Sequence, residues 1–274
     1  MQAYLTIDDS PTPYTNELIE ALYKRSIPAL LFVRGDMIEK YGDDPLRKAV
    51  SLGFVLGNHM VSHTRTSMMS FGDVTDEIKI MQDKIAEIYH SEGIQSPAQF
   101  FRFPHMDRGT GGSIVDYDKI AEPFRPHVIN MFAEGLNIEL IEPTRDQVEH
   151  KENIQSFLKS CGYAQPFQSI NFPWFKGEMQ EALDCMYTYS TADWMLLDRH
   201  RNSSKWPYKT LDDLKEKIDA DRNLRDSSTS HIVLAHDKDE DGFNKNIVIP
   251  LIDYMTQKEF TFLPFDKKEN IDVT

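Results

Sequence analysis

Short apolar runs alternate along the chain with stretches in which apolar residues recur every three or four positions, and this alternation predicts successive βα units. Residues 3–7 read as a strand, followed by a helix over 16–25 whose apolar side is Leu18, Ile19, Ala21 and Leu22. Pro28 precedes Ala29-Leu30-Leu31-Phe32-Val33, a continuous run of the kind found in parallel strands buried on both faces. A polar helix over 44–52 leads to a short strand at 54–56 that ends in Gly57. Asp73 is placed to cap a long helix over 74–90, with Ile78, Met81, Ile85 and Ile88 on one face. Residues 99–103 read as the next strand. The pattern resumes with a strand at 231–235, a helix over 247–257 and a last strand at 260–264.

Repeated βα units without a glycine-rich dinucleotide fingerprint favour a (β/α) barrel over a doubly wound sheet. The expected fold is therefore α/β, an incomplete (β/α) barrel forming one domain over residues 1–274. An irregular insertion, rich in aromatic residues and proline, occupies roughly 113–190, ahead of Asp193-Trp194. With 44 acidic against 30 basic residues the chain carries −14, a field that repels phosphate backbones and anionic lipid. Nucleic acid and membrane insertion are thereby disfavoured as partners, and no run approaches the ~18 apolar residues of a membrane span. Cys161 and Cys185 have no metal-site or redox spacing and read as two buried free thiols. No basic and apolar leader opens the sequence, so the reading is a cytoplasmic protein, or an exported one if a leader preceded it. The pattern sets no oligomeric state.

Chemistry collects where the candidate strands end. His59 and His63 are four residues apart, so a helical turn or a tight loop brings both imidazoles to one side, as zinc sites require. Met60 follows the first histidine, so a metalloprotease glutamate is absent and any base must come from elsewhere. Asp8 and Asp9 end the first strand, and one carboxylate with two imidazoles is a usual catalytic zinc set that leaves a position open for water. From these residues alone, an Asp-Asp-Ser-Pro turn capping the next helix is the stronger reading. Arg102 and His105 lie at the end of the strand at 99–103, where Arg102 can pair with an aspartate or form a surface salt bridge. His236, at the end of the strand at 231–235, is a candidate proton donor to a leaving amine.

Taken together these motifs resemble the polysaccharide deacetylases of carbohydrate esterase family 4, which share the nodulation-factor deacetylase homology domain. Thr6-Ile7-Asp8-Asp9-Ser10 is similar to that family's T-F-D-D-G, and His59 to His63 resembles its H-[ST]-x-x-H, with Ser62 before the second histidine. Arg102 and Pro104 match R-x-P-Y, Asp193-Trp194 stands for the Asp-Trp pair, and Leu234 and His236 meet L-x-H. The resemblance runs from residue 6 to 237. It implies a divalent metal, most often zinc with cobalt, manganese and nickel as alternatives, held by Asp9, His59 and His63. It further implies hydrolysis of an N-acetyl group on an amino sugar, with Asp8 as base and His236 as acid. Arg102 would hold Asp8, Asp193 would tune His236, and Trp194 and Leu234 would wall the acetyl pocket.

Two departures stand out. Ser10 replaces a glycine, which alters the turn, and His105 replaces a tyrosine whose backbone amide, in the family, helps bind the oxyanion. The substituted His105 keeps a second reading open, a metal-dependent amidohydrolase acting on a small non-sugar amide such as a ureide or imide. A carbohydrate-binding barrel that has lost turnover is a third. Asp237 to Gly242 imitates the opening of a calcium loop but lacks its final glutamate, and reads as an acidic solvated loop. Asp107 to Gly112 reads as a mobile rim loop, and Arg199, His200, Arg201 and Lys205 as a solvated basic cluster. Asn202-Ser203-Ser204 is a glycosylation sequon with meaning only on export.

Overall fold

The computed structural model describes residues 1–111, 120–134, 143–167 and 169–265. Its centre is a six-stranded, all-parallel sheet. β1 (Gln2–Ser10) lies between β2 (Leu30–Val33) and β5 (Ser230–His236), with β3 (Val55–Asn58) beyond β2 and β4 (Tyr189–Ser190) beyond β5. A sixth strand, β6 (Thr261–Phe262), pairs with the start of β1. Helices α1 (Thr15–Lys24), α2 (Gly35–Tyr41), α3 (Asp44–Ser51), α4 (Phe71–Ser91), α5 (Arg125–Ala133), α6 (Arg145–Ser160), α7 (Asp198–Arg201), α8 (Leu211–Ala220) and α9 (Ile249–Gln257) connect and flank the strands. The architecture is α/β, an incomplete (β/α) barrel, as the alternation of elements predicts. None of the described helices is long and apolar enough to cross a membrane.

Side chains divide along each strand with the period of two that a pleated strand imposes. Ala3, Leu5 and Ile7 of β1, Leu31 and Val33 of β2, and Val233 and Ala235 of β5 pack against the helices in the main core. The alternate positions, Tyr4, Leu30 and Phe32, join Phe100 and Cys185 in a separate cluster, and Ile232 and Leu234 pack with aromatics from 170–187. Gly57 is required by this packing. It sits opposite Phe32 in the β2–β3 ladder, and a Cβ there would lie 2.6 Å from the phenyl ring.

Several expectations are corrected. Helix α4 begins at Phe71 and is capped by Ser70, whose side chain accepts from the Asp73 amide, so the N-cap lies three residues before Asp73. Residues 99–103 form no named strand. Phe101 bridges Asn58 and its carbonyl accepts from Cys185, so irregular backbone carries the wall onward from β3. The chain there meets regular partners for only one or two ladder bonds. The segment after Phe103 is not a loose rim. Asp107 and Arg108 are buried: Asp107 accepts from Ser67 and the Gly109 and Gly111 amides, and Arg108 pairs with Glu178 and Asp184. Gly112 lies outside the described residues. Both cysteines are free, Cys185 buried and Cys161 half-buried.

Candidate active site

Two adjacent residues in a regular strand point to opposite faces, so Asp8 and Asp9 could not both face one cleft without a break in the ladder. The structure supplies that break. The β1–β2 register shifts between Asp8 and Ser10, and Asp9 adopts a left-handed φ of 75°, the signature of a bulge that turns its carboxylate back beside that of Asp8. Ser10 then rejoins the ladder and donates to Asp237 Oδ2 at 2.9 Å. Asp237 is not part of a solvated acidic loop. It is fully buried and receives the side chains of Ser10, Thr12, Thr15 and Asn244, while its amide donates to the Asp8 carbonyl at 2.8 Å. The serine that departs from the family glycine thus helps lock β5 to the end of β1.

Asp8 Oδ1 is held by Arg102 Nη1 at 2.8 Å. Arg102 is 0% exposed rather than at the surface. It spends its other donors on Thr6 Oγ1 and the carbonyls of Cys185 and Met186, and its guanidinium lies 4.3 Å from the Phe32 ring centre. Asp8 Oδ2 faces His59 Nε2 at 3.6 Å.

His59 and His63 sit on a tight loop after β3, not a helix. Asn58 shapes it, accepting from the Met60 amide while its own amide donates to the Ile78 carbonyl and Tyr163 hydroxyl. Glu77 Oε2 receives the Val61 and Ser62 amides, both at 3.0 Å. One ligand atom from each of Asp9, His59 and His63 lies within 4.8 Å of the others. His59 Nδ1 is 2.7 Å from the Arg102 carbonyl, which fixes the tautomer that leaves Nε2 as a lone-pair donor. Burial holds both imidazoles neutral: it lowers the pKa of His59 and brings that of His63 to about 2. Burial opposes ionisation of Asp9, but the Lys238 ammonium beside it outweighs burial and holds that carboxyl well below its usual range. An ionised oxygen with two neutral imidazoles is a donor set that suits a divalent metal.

His236 lies directly across the β1–β5 ladder from Asp8. Asp193 binds it twice, through Nδ1 at 2.7 Å and through the backbone amide at 2.8 Å. Burial pulls the pKa of His236 down, yet the Asp193 charge prevails and raises it above the ordinary histidine value. Trp194 and Leu234 line the same cleft, whose volume is about 540 Å³, as does His105, with its ring 4.3 Å from that of His63 and Nε2 3.2 Å from the His63 carbonyl. All ten residues singled out from the sequence therefore converge.

Others were missed. Arg34 and Lys238 both contact the Asp9 carboxylate, and each follows a strand, so the rule that found Asp8 and His236 also pointed to them. Glu134 accepts the Trp194 indole N–H at 3.1 Å, and nothing local in the sequence marks it. The basic cluster is corrected too: Arg199, His200 and Lys205 line the cleft, and only Arg201 stands apart, paired with Asp198. Backbone strain concentrates here. Of ten non-glycine residues with positive φ among those described, seven are Asp9, Met60, His63, His105, Met106, Glu134 and Ala192, all in or beside the cleft.

The polysaccharide deacetylase family model matches residues 2–110. An uncharacterised 30.6 kDa protein of Geobacillus stearothermophilus is 30% identical over 188 residues, 62% of this chain and 69% of that protein. A peptidoglycan-N-acetylglucosamine deacetylase of Bacillus cereus is 26% identical over 114 residues, 42% of this chain and 41% of the enzyme, so the chain spans less than half of that relative. Among solved structures, the chitin deacetylase of Colletotrichum lindemuthianum shares the fold with a TM-score of 0.60 at 16% identity, covering 98% of this chain and 89% of that one.

Proposed function

The chain belongs to the polysaccharide deacetylase family, and from that premise we propose that it removes the acetyl group from the nitrogen of an N-acetylated amino sugar in an oligo- or polysaccharide. The observation that carries this reading is the pairing of Asp8 with His236 across adjacent strands, each held by its own buried partner, beside Asp9, His59 and His63. Asp9, His59 and His63 would hold a divalent ion, zinc by the nature of the donor set, which when bound supplies several kcal/mol of stabilisation to developing negative charge.

Asp8 acts as the general base. Arg102 occupies Oδ1 and fixes the rotamer, which leaves Oδ2 to take the proton of the attacking water. His236 acts as the general acid. With Nδ1 on Asp193, its Nε2 carries the proton that goes to the departing amine as the carbon–nitrogen bond breaks. The Asp193 charge outweighs burial and raises the pKa of His236, which favours the protonated imidazole. Trp194 and Leu234 enclose the acetyl methyl and shed water from it, and the backbone amide of His105 is assigned to the oxyanion. A positioned acid or base of this kind accelerates such a step roughly 10²–10⁴-fold.

Acetate release from N-acetylchitooligosaccharides tests the reading. Activity that disappears with a chelator and returns with zinc supports it. Sustained hydrolysis of ureides or imides, with none of any N-acetyl sugar, would replace it with the small-amide reading.

A further inference from the structure

The chain is acidic by 14 charges, yet its cleft is lined by five cations, Arg34, Arg65, Arg199, Lys205 and Lys238. Three carboxylates line it as well, two of them paired with cations and the third, Glu134, buried and facing Lys217. Asp8 is held by Arg102, Asp9 by Arg34 and Lys238, and Glu134 accepts the Trp194 indole. Arg34 and Lys238 are thereby spent. Arg65, Arg199 and Lys205 form no ion pair with any described carboxylate, although carboxylates are in excess throughout the chain. Arg201, two positions from Arg199, illustrates the ordinary outcome with its 2.6 Å pair to Asp198.

The segment carrying two of these cations is itself ordered against the catalytic wall. His200 Nδ1 is 2.9 Å from the Trp194 carbonyl, and the Trp206 ring meets Trp194 edge-on at 4.7 Å and His200 at 5.3 Å. Arg199 Nε approaches His200 at 3.3 Å, and Lys205 Nζ lies 4.6 Å from the centre of the Trp206 ring. An aromatic shelf with uncommitted cations at its edge, opening on a cleft, suits a ring whose apolar face stacks while an anionic substituent meets a guanidinium. Low-dielectric walls concentrate that positive potential inside the cleft despite the negative chain. A neutral chitin-like chain has no use for it.

We infer that the cleft contains a subsite for an oxyanion on the substrate, so that the amino sugar deacetylated here, or the sugar next to it, bears a carboxylate or a phosphate held by Arg199, Lys205 and Arg65. This rests on the deacetylation reading for its chemistry, though the subsite itself binds charge whether or not hydrolysis follows. The test compares kcat/KM for acetate release from three probes: a neutral N-acetylchitooligosaccharide, a glycan of the same length containing N-acetylmuramic acid, and N-acetylglucosamine 6-phosphate. The wild-type protein is expected to favour an anionic probe by about tenfold or more, mostly through KM, and the better probe identifies carboxylate or phosphate. Salt raised from about 50 to about 500 mM shrinks the ratio. The Arg199→Ala/Lys205→Ala variant is expected to lose most of it, while Arg201→Ala keeps it. Equal kcat/KM on neutral and anionic probes, or a ratio that survives in the double variant, overturns the inference. Calorimetric binding of the muramic acid glycan and the sugar phosphate separates it from the reading it rests on. Binding of either that depends on Arg199 and Lys205, without acetate release from any probe, supports the subsite and removes deacetylation. The absence of such binding overturns the subsite.

Discussion

The two sides of the cleft are built by different means. On one side Asp8 and His236 stand opposite each other on neighbouring strands, and their partners Arg102 and Asp193 are both 0% exposed. On the other side His63 and His105 sit on loops in left-handed backbone, and Arg65, Arg199 and Lys205 are exposed. Hydrogen-bond ladders fix distances to a fraction of an ångström, so the strand side can hold a proton acceptor and a proton donor in constant relation. Loops supply charge and aromatic surface that can change without disturbing that relation. The contrast assigns the proton transfers to the sheet and substrate recognition to the rim, with His63 and His105 on the loops that join the two.

Breaking the strand side should cost most. Arg102→Leu strands the Asp8 carboxylate in a buried site, and a loss of about 3–5 kcal/mol in chemical denaturation is expected. A change below about 1 kcal/mol would mean that Asp8 finds water or another cation, and that the strand side is not rigid. Asp193→Asn is expected to lower kcat/KM roughly 100-fold. It should also shift the pH profile in a defined direction. His236 must carry its proton to act, so activity falls as pH rises through its raised pKa. Without the Asp193 charge only Asp9 opposes burial and Lys238, the pKa drops, and the alkaline limb moves to lower pH. An alkaline limb that stays in place would detach His236 from the acid role.

Gly57→Ala probes the support beneath both sides, because its Cβ would press on the Phe32 ring that carries Arg102. A loss of about 1–3 kcal/mol is expected from denaturant midpoints. On the rim, Arg65→Ala should alter stability by less than about 0.5 kcal/mol, since this exposed side chain has no described ion pair. A large loss there would show the rim to be structural and would erase the contrast.

Much of the strand side was legible because buried parallel strands leave uninterrupted apolar runs and their last residues announce themselves as abrupt polarity. Asp8-Asp9 and His236 follow that rule, and Arg34 obeys it unnoticed; Arg102 was found by the same signal although its segment is irregular. The bulge at Asp9 was not legible, because register is a property of two strands and not of one. Asp237 was misread for a related reason. Its local composition is that of a solvated loop, while its burial depends on Ser10, Thr12 and Thr15, more than two hundred residues away in sequence. The basic cluster near residue 200 was misread in the same way, since charge alone does not say that the chain folds back over Trp194. Residues 99–103 have strand composition, yet regular structure needs neighbours as well as propensity, and there they are irregular.

The unequal roles of the adjacent aspartates are the centre of this account, and Asp8→Asn and Asp9→Asn compare them directly. Metal content by mass spectrometry and acetate release from an N-acetylated oligosaccharide should be measured on both proteins. Asp8→Asn is expected to keep the metal and lose activity by about 10²-fold or more, whereas Asp9→Asn loses metal and activity together. Wild-type turnover in Asp8→Asn, or metal retained in full by Asp9→Asn, would contradict the division.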